Sequence, residues 1–169
     1  IEGALKMQGI APFPVIVAEE ILTPHGEIMG MFLKEEVPSG LSVEQAISRI
    51  RAQNALVCIP HPFDTLSRNG FDGKMLEALV GQIDVIEVFN ARSSLLQTSA
   101  KSRAFAGKHG IPGIAGSDAH TIGEIGNAYV EMPEFNGRDE FLNALEKGMI
   151  FGHRTNPLVH FAGAWARLK

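Results

Sequence analysis

Runs of apolar residues alternate with helical patterns along most of the chain. Residues 55–59 are apolar throughout and are followed by Pro60, which is typical of a strand buried on both faces. After Ser42, apolar residues recur at the three- and four-residue spacing of an amphipathic helix, and Gln45 completes a capping-box pattern. The same reasoning predicts strands at residues 14–17, 27–33, 55–59, 84–89, 114–116 and 128–132, and further helices at residues 75–80, 95–109 and 139–147.

This alternation of strands and helices predicts an α/β protein. Such an order is typical of a mostly parallel sheet covered by helices, either open or closed into a barrel. The length of 169 residues suits one domain over residues 1–169, and no internal repeat or linker divides it. Residues 156–169 lack clear periodicity and are interpreted as a packed tail.

Polar side chains collect just after several of the predicted strands. In parallel α/β folds the ligand site lies at the carboxyl ends of the strands, so these residues are expected to share one rim. Imidazole and carboxylate groups are ligands of zinc, manganese and iron. Asp118 and His120 are two positions apart and can face the same side of an extended segment. The residues concerned are Glu19, Glu20, His61, Asn90, Arg92, Asp118 and His120.

A purely structural role is the alternative for several of these residues. An Asp-x-His pattern such as that at Asp118 and His120 also suits a turn with a capping aspartate. His61 lies between two prolines, which suits either a pre-organised ligand or a plain turn. His25, in a Pro-His-Gly turn, is predicted to face solvent.

Composition and charge narrow the function classes. The formal net charge of -4 argues against stable binding of duplex nucleic acid, although a short oligonucleotide could be held mainly by metal ions. The single cysteine, Cys58, excludes a disulfide within the chain, so a cytoplasmic location is the default, and its apolar neighbours predict a core position. No apolar stretch reaches the ~20 residues of a membrane span, and no signal peptide is recognisable, so no membrane partner is expected. Because the chain opens without methionine, a lost targeting segment is left open.

Four segments resemble the polymerase and histidinol phosphatase (PHP) family of metal-dependent phosphoesterases. Gly-Ser-Asp-Ala-His-Thr at residues 116–121, with Glu-Ile-Gly at residues 124–126, is similar to the closing metal motif of that family. Pro-His-Pro-Phe-Asp at residues 60–64 and Glu-Val-Phe-Asn-Ala-Arg at residues 87–92 resemble two further segments. Ala-Glu-Glu-Ile at residues 18–21 resembles a Gly-x-Glu-Ile segment whose glutamate is a metal ligand. The resemblance extends over nearly the whole chain in the same order.

The resemblance implies a distorted (β/α)7 barrel that holds two or three divalent metal ions, zinc, manganese or iron, at the strand ends. It also implies hydrolysis of phosphate esters, with nucleotides, short oligonucleotides or small sugar and amino-alcohol phosphates as substrates. Asn90 and Arg92 are assigned to the reaction as residues that orient the substrate or the groups around the metal. The positions that match metal ligands of the family are Glu20, His61, Asp118 and His120.

The chain departs from the family in three places. The family opens with a His-x-His strand and an Asp-His turn, and neither is present in this sequence. Residues 1–4 are similar to the segment that follows that turn, so we interpret the chain as the C-terminal two-thirds or so of the domain, with the N-terminal strands missing. Ala18 replaces a glycine, and Glu27 stands where some relatives have a histidine, which leaves its role as a ligand open.

Arg68, like Arg92, is a candidate to bind a phosphate, with a surface salt bridge as the alternative.

Three interpretations of the function stay open. Enzymatic activity is expected if the missing ligands are present in the full-length protein, whereas a chain without them fits a binding or regulatory module that kept the fold and lost catalysis. An unrelated α/β protein with a coincidental resemblance is the third interpretation. The sequence decides neither the oligomeric state nor the choice of metal and substrate.

Overall fold

A five-stranded sheet and a two-stranded ribbon form the β-structure of the protein. The structure is a computed structural model and describes residues 1–64, 70–93 and 96–155. The sheet has the order β1 (Ala18–Thr23), β2 (Gly26–Met31), β3 (Leu56–Ile59), β4 (Val85–Asn90) and β5 (Gly113–Gly116). The ribbon pairs β6 (Ala128–Glu131) with β7 (Met149–Gly152) and lies against β5. The helices are α1 (Glu2–Ile10), α2 (Val43–Ala52), α3 (Gly73–Leu79), α4 (Leu96–His109) and α5 (Gly137–Leu145).

The sheet is mixed rather than mostly parallel. β3, β4 and β5 are parallel neighbours, as the sequence predicts, but β1 pairs antiparallel with β2, and β2 pairs antiparallel with β3. Only Pro24 and His25 separate β1 from β2, and a two-residue connection allows a hairpin but is too short for a parallel crossover. Over the described residues the sheet is open, with β1 and β5 at its edges, so a closed barrel is not seen there. The prediction of an α/β fold is confirmed at this coarser level.

The core forms where the sequence predicts it. Every residue of β3 is buried, as expected for a strand covered on both faces. α2 begins with the predicted capping box, because the Ser42 hydroxyl accepts from the Gln45 amide at 3.2 Å and the Ser42 amide donates to Gln45 Oε1 at 3.0 Å. Cys58 is fully buried, and burial raises the pKa of its thiol well above the usual range, which fits a core residue. The buried face of α2 consists of Val43, Ala46, Ile47 and Ile50.

The first strand lies later in the chain than the sequence predicts. The predicted strand at residues 14–17 is wrong, although the Val17 carbonyl accepts from the Leu33 amide at 3.0 Å and so leads directly into β1. Glu19 and Glu20 therefore lie within β1 rather than after it. Glutamate is a poor strand former, and the pairing with β2 outweighs that preference.

Helix α1 and strand β7 were not predicted from the sequence. α1 has no buried residue, and its side chains Leu5, Met7 and Ile10 are exposed, so its apolar residues do not form the stripe that identifies an amphipathic helix. β7 is a strand of four residues that pairs with β6.

The remaining predicted elements are present, with bounds shifted by at most two residues. Arg68 and the tail predicted at residues 156–169 lie outside the described residues. Within the described part of the chain, no helix has the length and apolar character needed to cross a bilayer.

Candidate metal centre

Two glutamates meet across the β1–β2 hairpin. Glu20 in β1 lies opposite Met29, and Glu27 in β2 lies opposite Leu22, so the two carboxylates are diagonal neighbours on one face of the hairpin. His61 follows β3, the next strand of the sheet, and its Nε2 atom lies 3.1 Å from Glu27 Oε2 and 3.9 Å from Glu20 Oε1. One ligand atom from each of these three side chains lies within 4.8 Å of the other two. The structure thus places Glu27, whose role the sequence left open, beside two predicted ligands.

His61 is held in an unusual backbone conformation. Its φ angle is 28°, in the left-handed region that residues other than glycine seldom adopt. Its amide donates to Glu87 Oε2 at 2.7 Å. Its Nδ1 atom is buried with no hydrogen-bond partner among the described residues, whereas Nε2 faces the two glutamates. Backbone strain of this kind is common at ligand-binding sites.

Asp118 and His120 follow β5 and form a second pair on the same rim. Asp118 also has a positive φ angle, 47°. Its Oδ2 atom lies 3.4 Å from Asn90 Nδ2, and its Oδ1 atom lies 3.6 Å from His120 Nδ1. Burial raises the pKa of Glu20, the carboxylates of Glu27 and Asp118 raise it further, and nearby histidines, His120 among them, oppose the rise. Asp118 and His120 are therefore close enough to Glu20 to affect its pKa. Among the described residues, however, neither of them belongs to a three-ligand group.

Glu87, a buried glutamate to which the sequence assigned no role, connects His61 with Asn90, the neighbour of Asp118. Glu87, in β4, is 7% exposed, and burial raises its pKa to about 7, against hydrogen bonds from Asn90 and the His61 amide. Its Oε2 atom accepts from Asn90 Nδ2 at 3.0 Å, the same nitrogen that lies near Asp118. The available signal was a single charged residue inside an otherwise apolar strand interior.

Arg92 is paired with a second buried glutamate. Its Nη1 atom lies 2.6 Å from Oε1 of Glu124, whose side chain is 2% exposed. Glu124 Oε2 accepts from the His120 amide at 3.1 Å and from Thr121 Oγ1 at 2.9 Å. Glu124 belongs to the Glu-Ile-Gly segment at residues 124–126, and the sequence alone indicated no role for it. Through this network the end of β4 is connected to the segment that holds His120.

The cluster of Glu20, Glu27 and His61 fits a divalent cation. Two carboxylates and one imidazole form a mixed oxygen and nitrogen ligand set that suits manganese, iron and zinc. Burial and the neighbouring carboxylates raise the pKa of Glu20, and a cation bound between these groups would offset both effects. The donor set and its electrostatics therefore agree with a metal site.

Comparison with known proteins gives one family-model match and two relatives of similar sequence. Residues 99–150 match the family model described as PHP-associated. An uncharacterized protein of Methanocaldococcus jannaschii is 38% identical over 141 residues, which cover 78% of this chain and 60% of the relative. A second uncharacterized protein of that organism is 38% identical over 77 residues, which cover 46% of this chain and 43% of the relative.

Two solved structures have a similar fold. A two-domain protein from Bacteroides vulgatus, containing a predicted PHP-like metal-dependent phosphoesterase, aligns with a TM-score of 0.68 and 18% identity, covering 90% of this chain and 48% of that one. PsfC from Pseudomonas syringae aligns with a TM-score of 0.62 and 18% identity, covering 92% of this chain and 65% of that one. The chain thus resembles the PHP-associated family over residues 99–150 and shares its fold with these two structures. The chain spans less than two-thirds of the length of each of these four proteins.

Proposed function

We propose that the protein hydrolyses phosphate esters with the help of divalent metal ions. The observation that supports this most directly is the cluster in which Glu20, Glu27 and His61 present ligand atoms within 4.8 Å of one another. The position of this cluster at the rim of the sheet adds to the argument, because the two-domain protein of similar fold contains a predicted PHP-like metal-dependent phosphoesterase.

The proposed ligands lie on two sides of the rim. Glu20, Glu27 and His61 would hold one ion, and Asp118 and His120 would contribute to a second or third, with zinc, manganese or iron as the metals. A bound divalent ion polarises a phosphoryl oxygen and makes water acidic enough to act as a nucleophile near neutral pH.

Asn90 and Arg92 are proposed to orient the substrate and the groups around it. Asn90 lies between Glu87 and Asp118, and its Oδ1 atom accepts from the Arg92 amide at 2.8 Å, so one side chain fixes both the carboxylate and the following turn. The ion pair with Glu124 keeps the Arg92 guanidinium beside the segment of His120. Guanidinium groups bind phosphate oxygens well, so this position suits a substrate phosphate.

The proposed substrate is a small phosphorylated molecule or a short oligonucleotide. The net charge of -4 disfavours a long duplex, whose binding depends on many basic contacts. In the whole protein, the open sheet is proposed to form part of a distorted (β/α)7 barrel. A cytoplasmic location is also proposed, because the single cysteine is a buried core residue.

The test compares metal-free and metal-loaded protein, expressed from its complete gene, on two aryl phosphates. p-Nitrophenyl phosphate reports monoester hydrolysis, and bis(p-nitrophenyl) phosphate reports diester hydrolysis. Activity should be absent after chelation and return with Mn²⁺, Zn²⁺ or Fe²⁺. His61→Ala and Glu20→Gln should abolish it, whereas His25→Ala, an exposed histidine in the turn between the two glutamate strands, should retain it.

Two results would count against the proposal. Hydrolysis that survives both His61→Ala and Glu20→Gln would place the activity elsewhere. Tight metal binding without turnover of either substrate would favour a binding or regulatory module in place of an enzyme.

A further inference from the structure

The side chain of Glu87 lies where the ends of three parallel strands meet. We propose that Glu87 is a positioning residue, which fixes the ends of β3 and β4 relative to β5 and thereby arranges the ligands of the metal site. Its consequence for metal binding rests on the proposed function. The contacts of Glu87 with each strand end support the positioning role independently of that function.

The first contact is with the end of β3. The His61 amide donates to Glu87 Oε2 at 2.7 Å, a shorter hydrogen bond than the one from Asn90 to the same atom. His61 has a φ angle of 28°. This conformation costs energy and persists only where neighbouring groups hold it. This bond to Glu87 holds the backbone of His61, whose Nε2 atom faces Glu20 and Glu27. Loss of this acceptor would allow His61 to relax and would leave its partly buried amide without this partner.

The second contact is with the end of β4. Asn90 Nδ2 donates to the same Oε2 atom of Glu87 at 3.0 Å and lies 3.4 Å from Asp118 Oδ2. On its other side, Asn90 Oδ1 accepts from the amides of Arg92 and Ser93 at 2.8 and 3.1 Å. Glu87 therefore sets the orientation of an amide group that reaches both the β5 rim and the turn after β4.

The third contact is with β5 and depends on a glycine. A Cβ atom at Gly116 would overlap Glu87 Oε1, whereas glycine lets the β5 backbone approach the carboxylate closely. Asp118 follows two residues later. The position of the Glu87 carboxylate therefore depends on the absence of a side chain at position 116. This dependence can be tested by changing either residue.

The test uses two substitutions at position 87 and two readouts. Glu87→Ala removes the acceptor, whereas Glu87→Gln keeps one carbonyl oxygen that can accept from both the His61 amide and Asn90. Mn²⁺ affinity by titration calorimetry should fall roughly 10- to 100-fold in Glu87→Ala and return to within a few-fold of the wild type in Glu87→Gln. In metal-free protein, hydrogen exchange at the His61 amide should be faster in Glu87→Ala than in the other two forms.

A matched control lies at the opposite end of the same strand. Asp84 Oδ2 accepts from the Val57 amide at 2.7 Å, which is the same β4-to-β3 contact made away from the site. Asp84→Ala should lower thermal stability while leaving Mn²⁺ affinity and exchange at His61 unchanged. An equal loss of affinity in Asp84→Ala would mean that general destabilisation explains the effect, and would overturn the proposal.

The glycine supplies an independent variant. Gly116→Ala should weaken Mn²⁺ binding although Glu87 is present, and the double variant Glu87→Ala/Gly116→Ala should be no weaker than Glu87→Ala, because the shorter side chain removes the overlap. If Glu87→Ala does not fold, Gly116→Ala and Glu87→Gln decide the question.

The outcomes separate this proposal from the proposed function. Wild-type His61 exchange and wild-type Mn²⁺ affinity in both Glu87→Ala and Gly116→Ala would overturn the role of Glu87. Failure of the wild-type protein to bind Mn²⁺ would instead overturn the metal site, and His61 exchange alone would then decide whether Glu87 positions the strand ends.

Discussion

At the scale of single residues, the candidate site collects carboxylates at short range. Glu20 and Glu27 face the same histidine, and Asp118 is near enough to raise the pKa of Glu20 in addition to the effect of burial. His61 and Asp118 both have left-handed backbone. Like charges and strained backbone each cost free energy, and a bound cation is the natural compensation for the first of these costs.

Removing one of these negative charges should therefore raise the stability of the metal-free protein and weaken metal binding. Asp118→Asn keeps an oxygen acceptor for Asn90 but removes a negative charge near Glu20. We expect the metal-free variant to melt higher, by about 2–4 °C if the gain is about 1 kcal/mol, and to bind Mn²⁺ more weakly. Differential scanning fluorimetry in EDTA and a Mn²⁺ titration measure the two effects. Glu131→Gln, an exposed substitution on β6, should change neither, and a lower melting temperature for Asp118→Asn would contradict the explanation.

The raised pKa of Glu87 predicts a pH dependence of stability. Its folded-state pKa of about 7 lies above the usual 4.5, so the folded protein binds the proton more tightly than the unfolded chain. The stability of metal-free protein should thus fall as pH rises from about 4.5 to 7. Glu87→Gln should match the wild type near pH 4.5 and exceed it at pH 8, by on the order of 3 kcal/mol. Urea unfolding in EDTA at both pH values tests this, and a constant difference across the range would show that Glu87 does not titrate as described.

The sequence predicted the candidate site only in part. Polar residues after the predicted strands indicated metal chemistry, and the resemblance to the PHP family then implied Glu20, His61, Asp118 and His120 as the ligands. The interactions of Glu87 could not be read from one sequence, because they depend on which strands are neighbours. Glu27 was uncertain for a similar reason, since only the hairpin register places it diagonal to Glu20. These ligand roles themselves stay predictions.

At the scale of elements, the hairpin and the parallel strands make different contributions. β1 and β2 bring two carboxylates together through a two-residue turn, whereas β3, β4 and β5 bring their carboxyl ends to one rim. β3 and α2 were predicted well because the apolar run of β3 and the capping box of α2 are local signals in the sequence. β1 was misplaced because its pairing with β2, and not its own composition, makes it a strand.

The cap of α2 gives a prediction about stability alone. Ser42→Ala removes the oxygen that accepts from the Gln45 amide, so the free energy of unfolding should fall by about 1 kcal/mol. Urea denaturation measures the change, with Ser39→Ala in the preceding exposed loop as the control. Mn²⁺ affinity should stay at the wild-type value. A loss of affinity comparable to that of Glu87→Ala would indicate that the centre responds to any loss of stability.

At the scale of the whole molecule, an open mixed sheet supports a candidate metal centre whose proposed ligands come from four of its strands or the segments that follow them. Ligands that come from β1, β2 and the segments after β3 and β5 can meet only when the sheet has formed. Metal binding and folding should therefore be thermodynamically linked.

This linkage should be visible as a rise in melting temperature with added metal. A ligand that binds only the folded protein stabilises it by about 2.7 kcal/mol at 100 times its dissociation constant. Mn²⁺ should raise the melting temperature of the wild type in a concentration-dependent way, and His61→Ala should respond much less. His25→Ala is the control, and an equal rise in all three proteins would indicate binding at other positions.

The close approach of Gly116 to Glu87 also has an evolutionary consequence. Because a methyl group at position 116 and a glutamate at position 87 would occupy the same volume, neither position can change freely while the other stays as it is. Among homologous sequences, alanine or a larger residue at 116 should occur together with a side chain shorter than glutamate at 87. The two positions should therefore covary, and homologues that combine glutamate at 87 with a bulky residue at 116 should be rare.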